Sequence, residues 1–126
     1  MEEDTKQLEE RLAGAFHLMY DNFPEGVQLT HKSRRIVALN DRLSARGRSV
    51  GMLCVKQGGE AAHKGCLANK ALASGRTVWV RKPGPKGDVT VFWIPVEGHP
   101  DYYVHFAVGM ETDYSQSPQP PMASGE

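Results

Sequence analysis

Two cysteines and a histidine are the residues here whose types and spacing suit chemistry: Cys54, His63 and Cys66 form the pattern Cys-x8-His-x2-Cys. Thiolate and imidazole are good ligands for zinc or iron. The short His-to-Cys interval puts those two side chains about one turn apart at the start of an expected helix, with Cys54 on an earlier loop or helix. Three ligands are visible where a structural site takes four, so a metal or iron–sulfur site needs His105 or a second subunit as the fourth donor. The same residues read equally as a redox-switched thiol pair, or as side chains with packing roles. At a helix start the Cys66 thiol would ionise more readily than that of Cys54.

Other chemistries find no support. Gly58-Gly59 has neither the Gly-Lys-Ser/Thr sequence nor the strand-to-helix context of a phosphate loop, and no Ser/His/Asp set or paired acids have catalytic spacing, so no enzyme is expected. Trp93 and Phe106 stand on strands without Arg or Lys, and with Trp79 they read as core packing rather than as a base-stacking surface, which argues against nucleic acid. His17, His31 and His99 are expected at the periphery. The chain of 126 residues is long enough for one core, and its net charge of zero gives no pull toward nucleic acid or an anionic membrane. Charge is nonetheless uneven, with seven Lys/Arg against two Asp/Glu over 51–90. A membrane-spanning run and a signal-like N-terminus are both missing from the sequence, so a cytoplasmic location with reduced thiols is expected.

Periodicity shows what must position these residues. Asp4 with Gln7 forms a capping pair for a helix over about 4–21, along which Leu8, Leu12, Ala15 and Met19 recur at helical spacing. Its charged first turns and narrow apolar stripe suit a dimer seam, and packing back on its own domain fits as well. Phe23-Pro24-Glu25-Gly26 ends it. Val27–Thr30 and Arg35–Leu39 then read as strands around a Lys32-Ser33-Arg34 turn, and Asn40 caps a short helix, Asp41–Ala45. The crossover over 51–75 carries an apolar helical face, Leu67, Ala71 and Leu72, and closes at Gly75. Three strands follow as an antiparallel meander: Val78–Arg81, Val89–Val96 and Tyr102–Met110, joined through Lys82–Asp88 and Gly98–Asp101. In Phe92-Trp93-Ile94 and in Tyr103–Phe106 both phases of the alternation are apolar, so each face of the sheet needs a cover. The tail, 115–126, has the Pro, Ser and Gln content of a disordered segment.

Phe23-Pro24-Glu25-Gly26-Val27 followed by Arg35-Ile36-Val37-Ala38-Leu39-Asn40 resembles the opening of a PAS domain, and Thr112-Asp113 resembles the signal through which such domains leave their sheet. The resemblance covers about 16–114 and implies an α+β fold: a five-stranded antiparallel sheet in the order 2-1-5-4-3, with crossover helices over one face. It divides the chain into an N-terminal amphipathic helix (1–22), a PAS domain (23–114) and the tail (115–126). It also implies a ligand or cofactor held between helices and sheet, where His63, Leu67 and Ala71 would face Trp93, His105 and Phe106. Some PAS domains hold haem through a helix histidine, for which His63 is the one residue in place; others carry a Cys-x-x-Cys at the same helix start, and here His63 stands in place of the first of those cysteines. The implied role is sensory signal transduction through a homodimer formed by the N-terminal helix, or through a separate partner such as a histidine kinase. A ligand-free interaction module and a Cys54/Cys66 redox switch are the alternatives.

Overall fold

The computed structural model describes residues 4–53, 67–110, 112 and 114. Helix α1 (Thr5–Tyr20) begins where Asp4 accepts the Gln7 backbone N–H at 2.7 Å. A charged acceptor on an unpaired first-turn donor sets the start of this helix. Strands β1 (Val27–His31) and β2 (Ile36–Leu39) form a hairpin, and helices α2 (Asp41–Ala45) and α3 (Ala68–Ser74) follow. The closing meander is β3 (Val78–Gly84), β4 (Gly87–Val96) and β5 (His99–Val108). All five strands join one antiparallel sheet in the order β2-β1-β5-β4-β3, as the PAS resemblance implies.

The strands of the meander are longer than their turn residues suggest. The expected connection Lys82–Asp88 shrinks to Pro85-Lys86, because Pro83 and Gly84 pair with Asp88 and Gly87 across the ladder. Gly87 supplies the positive φ that the reversal needs, and at Gly84 a Cβ would collide with the Val89 side chain. The expected turn Gly98–Asp101 likewise reduces to Glu97-Gly98, with Gly98 at φ +79° and Val96 paired to His99. Prolines enter these strands only where a ladder partner is missing. Pro83 lies on the edge strand, Pro95 sits at a bulge beyond the reach of β3, and Pro100 precedes the β1 pairing that begins at Tyr102.

Each face of the sheet has its own core. On one, Leu12 and Phe16 of α1 are buried among Val27, Leu29, Val37, Ala38, Tyr102 and Val104. A bulge between Leu29 and Thr30 lets Val37 join Ala38 on this side. On the other face, Ala68 and Ala71 of α3 are buried against Val89, Val91, Trp93 and Tyr103. Asn40, nearly fully buried, ties the two ends of the opening hairpin together. Its side-chain oxygen accepts the Val27 N–H at 3.1 Å and weakly that of Leu43 at 3.4 Å, and its Nδ2 donates to the Glu25 carbonyl at 2.8 Å.

The seat of α1 is registered by one polar cluster. Arg35 donates to both carboxylate oxygens of Glu9, at 2.9 and 2.6 Å, and the Tyr102 hydroxyl donates to Glu9 Oε2 at 2.6 Å. The Arg35 hydrogen bond holds the Glu9 carboxyl below its ordinary 4.5, while burial, then Glu9, pushes the Tyr102 phenol above its ordinary 10.0. Burying Leu12 and Phe16 is worth about 2 kcal/mol each, against about 1 kcal/mol for a partly exposed ion pair. Apolar packing therefore holds the helix, and the cluster fixes its register. Tyr102→Phe should lower unfolding free energy by about 1–2 kcal/mol in urea titration. Because its pKa is depressed, Glu9 contributes stability above 4.5 that is lost as pH falls through the folded value. Tyr102 has the opposite sign, and stability should decline as pH rises past 10.0. Glu9→Gln should remove the acid limb that Glu9 contributes.

Candidate ligand-facing wall between helix and sheet

Strand alternation divides every strand between the two faces, and the register fixes which side chains become neighbours. On the α3 side one cross-strand row runs Leu39, Gln28, His105, Trp93 and Val78 over all five strands. Thr30 and Tyr103 form the next pair toward the hairpin end. The apolar half of this wall, Val89, Val91, Trp93 and Tyr103, lies against Ala68 and Ala71. Its other half is polar.

Gln28 and Thr30 are completely buried on strand β1. Burying such groups is unfavourable unless each finds a partner, and here they partner each other. Gln28 Nε2 donates to Thr30 Oγ1 at 2.9 Å, while Arg48 donates to Gln28 Oε1 at 3.0 Å. Directly across from Gln28, the His105 Nδ1 faces the Phe92 carbonyl at 2.9 Å. A carbonyl can only accept, so Nδ1 carries a proton and donates to it. The imidazole lies flat on the Trp93 indole, with centroids 5.0 Å apart and planes 22° from parallel. Amide, hydroxyl, guanidinium and imidazole thus converge beside an aromatic surface. Such a wall can hold the flat body of a small molecule and read its polar groups.

Arg34 links this wall to the crossover. Its backbone is left-handed at φ +77°, the only non-glycine so placed among the described residues. One guanidinium nitrogen donates to Lys32 O and another to Asn69 Oδ1 on α3, both at 2.7 Å, and the group lies 5.8 Å from the Tyr103 ring centroid. Residues held in that region are strained by about 1 kcal/mol or more, and they persist where the surroundings over-determine them.

The residues expected to face a ligand divide as follows. Trp93, His105, Leu67 and Ala71 belong to the α3 side of the sheet. Phe106 does not, since the next residue along a strand must point the other way; it packs edge-on against Phe23, 4.9 Å away on the α1 face. Cys54, His63 and Cys66 lie outside the described residues, and so do their proposed metal, haem and thiol roles. Among the described residues there is no group of three His, Cys, Asp or Glu placed to hold a metal. A shallow groove of ≈ 180 Å³ at the C-terminal end of α3, between Leu72, Gly75 and Pro95–Pro100, is lined by none of the polar row. Gln28, Thr30, Arg48, Tyr103 and Arg34 were not expected at the site. Their one signal in the sequence is the polar phase of Val27-Gln28-Leu29-Thr30, which by itself reads as a wetted face.

With this geometry in view, solved structures offer a comparison at the level of fold. A domain of an HTR-like protein from Haloarcula marismortui superposes with a TM-score of 0.54 at 21% identity, covering 67% of this chain and 95% of its own. A sensory box sensor histidine kinase from Vibrio cholerae gives 0.55 at 12% identity, over 82% and 93% of the two chains. The photoactive yellow protein domain of the sensor histidine kinase Ppr from Rhodospirillum centenum gives 0.50 at 22% identity, over 71% and 89%. The chain has a PAS fold. Protein-family models and curated proteins provide no match. The Gln28–His105–Trp93 row lies on the sheet face against which α3 packs. Two substitutions probe the wall's most constrained residue: Arg34→Ala and Arg34→Gly both lose the Asn69 contact, but glycine also relieves the left-handed backbone. Arg34→Gly should be the more stable of the two by about 1 kcal/mol in urea unfolding.

Proposed function

We propose that this PAS-fold chain is a sensory signal-transduction module that binds a small polar ligand against the Gln28–His105–Trp93 row. One observation carries the reading: a fully buried Gln28–Thr30 pair, backed by Arg48 and faced by His105, stands on the wall that the crossover covers. A chain selected only for stability would fill that position with Val or Leu. The apolar half, already packed by Ala68 and Ala71, directs a ligand to the polar half. His105, held by the Phe92 carbonyl and stacked on Trp93, would offer its imidazole to a ligand at the edge of the polar half. Cys54, His63 and Cys66 would add zinc, iron–sulfur or thiol-redox chemistry to the same module.

Strand β5 supplies the route outward. His105 and Tyr103 face the wall, while Tyr102, next to Tyr103 in sequence, donates to Glu9 on α1. A ligand that binds two positions of β5 unequally therefore biases the register of α1. From α1 the signal passes to a second copy of the chain, or to a separate partner such as a histidine kinase, the class in which two of the similar structures occur.

The test is native mass spectrometry of anaerobically purified protein beside a visible spectrum and elemental analysis. A co-purifying mass or metal that disappears in Gln28→Leu and His105→Phe is expected. The Trp79→Phe variant leaves Trp93 as the single emitter for ligand titration. No bound species, together with no change in Trp93 emission across a metabolite library, would sink the sensory reading and leave a ligand-free interaction module.

A further inference from the structure

The hydrogen bonds of the buried polar pair run in one direction. Arg48 follows α2, where its backbone N–H donates to Leu43 O at 3.2 Å, and its guanidinium can only donate. Its bond to Gln28 at 3.0 Å therefore fixes the amide, with oxygen toward Arg48 and nitrogen toward Thr30, 2.9 Å away. The Thr30 hydroxyl, accepting from that nitrogen, must turn its own hydrogen elsewhere. That hydrogen finds no acceptor among the described residues, and neither does the second hydrogen on Gln28 Nε2. Both side chains are completely buried, so bulk solvent supplies none. Unpaired buried donors destabilise a fold, and two side by side call for a partner. The charges flanking the pair are positive. Arg48 stands at the Gln28 end, and at the other the Arg34 guanidinium lies 5.8 Å from the ring centroid of Tyr103, the cross-strand partner of Thr30. Acids on the neighbouring segments are engaged elsewhere: Glu25 accepts the Gly109 N–H at 3.0 Å, Asp101 pairs with Lys32 at 3.3 Å, and Glu9 lies on the α1 side.

We infer that the ligand of this wall is a small organic acid in its ionised form, its carboxylate taking the unspent hydrogens of Thr30 and Gln28 between the two guanidiniums. The inference rests on the proposed sensory function and names the class of ligand that function would detect. A carboxylate only accepts and presents two oxygens, so it can satisfy both donors at once, and its charge strengthens each bond. An amide sets its own N–H groups against one of them, and an ammonium has no acceptor to offer. Phosphate is ordinarily cradled by backbone N–H groups at a helix N-terminus or in a turn, whereas both donors here are side chains on a central strand.

The experiment titrates the full chain, carrying Trp79→Phe so that Trp93 is its one tryptophan, with acetate, pyruvate, succinate and benzoate, each beside its amide, and with inorganic phosphate. At least one acid should change Trp93 emission, with its amide bound about tenfold more weakly or worse. Thr30→Val should weaken that acid about tenfold, while Thr30→Ser, which keeps the hydroxyl, restores it. Circular dichroism verifies that both variants fold; if the valine variant does not, the comparison of acid with amide in the parent protein still decides. Equal binding of acid and amide, phosphate bound more tightly than every acid, or no response to any acid at about 10 mM overturns the carboxylate assignment. So does a folded Thr30→Val protein that binds the acid unchanged. The sensory reading is judged separately: a neutral or cationic species that co-purifies and is lost in Gln28→Leu upholds that reading while refuting the acid.

Discussion

Pairing of the first strand with the last is the constraint on which everything else depends. Val27–His31 of β1 runs antiparallel to Tyr102–Phe106 of β5, so residues far apart in sequence become cross-strand neighbours at the centre of the sheet. Loop closure over that separation is entropically unfavourable, and buried contacts on both faces must offset it. They do so with different chemistry: Val27, Leu29 and Val104 meet α1 on one side, and Gln28, Thr30 and His105 line the other. A register slip of one residue would exchange the two sets and bury the polar row beneath α1.

The same geometry brings the two faces close together. Adjacent residues of β5 face opposite sides, so the wall and the N-terminal helix are separated by one peptide unit rather than by a path through the molecule. Tyr102 and Tyr103 show the division most simply. The first bonds Glu9 and the second lies beneath the Arg34 guanidinium. Because apolar burial supplies most of the attachment of α1, the Glu9–Arg35–Tyr102 cluster is free to act as an adjustable registration point.

Two features of the wall carry a free-energy cost that simple stability would avoid. Gln28 and Thr30 occupy central β1 positions where apolar side chains would pack at no desolvation cost. Arg34 is held left-handed at the hairpin turn while its side chain reaches α3. Both belong to the opening hairpin, Gln28 and Thr30 on the sheet face against which α3 packs and Arg34 in contact with Asn69 of α3.

Much of this architecture was legible from local rules. Asp4 and Asn40 announced their helices because a short side-chain acceptor at a helix start satisfies backbone donors wherever it occurs. The doubled apolar phases of Phe92–Ile94 and Tyr103–Phe106 required a cover on both faces, and α1 and α3 provide it. Turn length was less legible, since Gly and Pro near a reversal mark it without telling whether they sit in the loop or at the ends of the ladder. The polar half of the site was invisible for a deeper reason: Gln28 and Thr30 read as solvated until the fold buries them and brings β5 beside them. Residue types thus determined the elements and the alternation within each strand. Only the pairing of β1 with β5 decided which phase became apolar core, which became the buried polar row, and that Phe106 turns away from it, because facing direction is a property of register, and register exists only between strands.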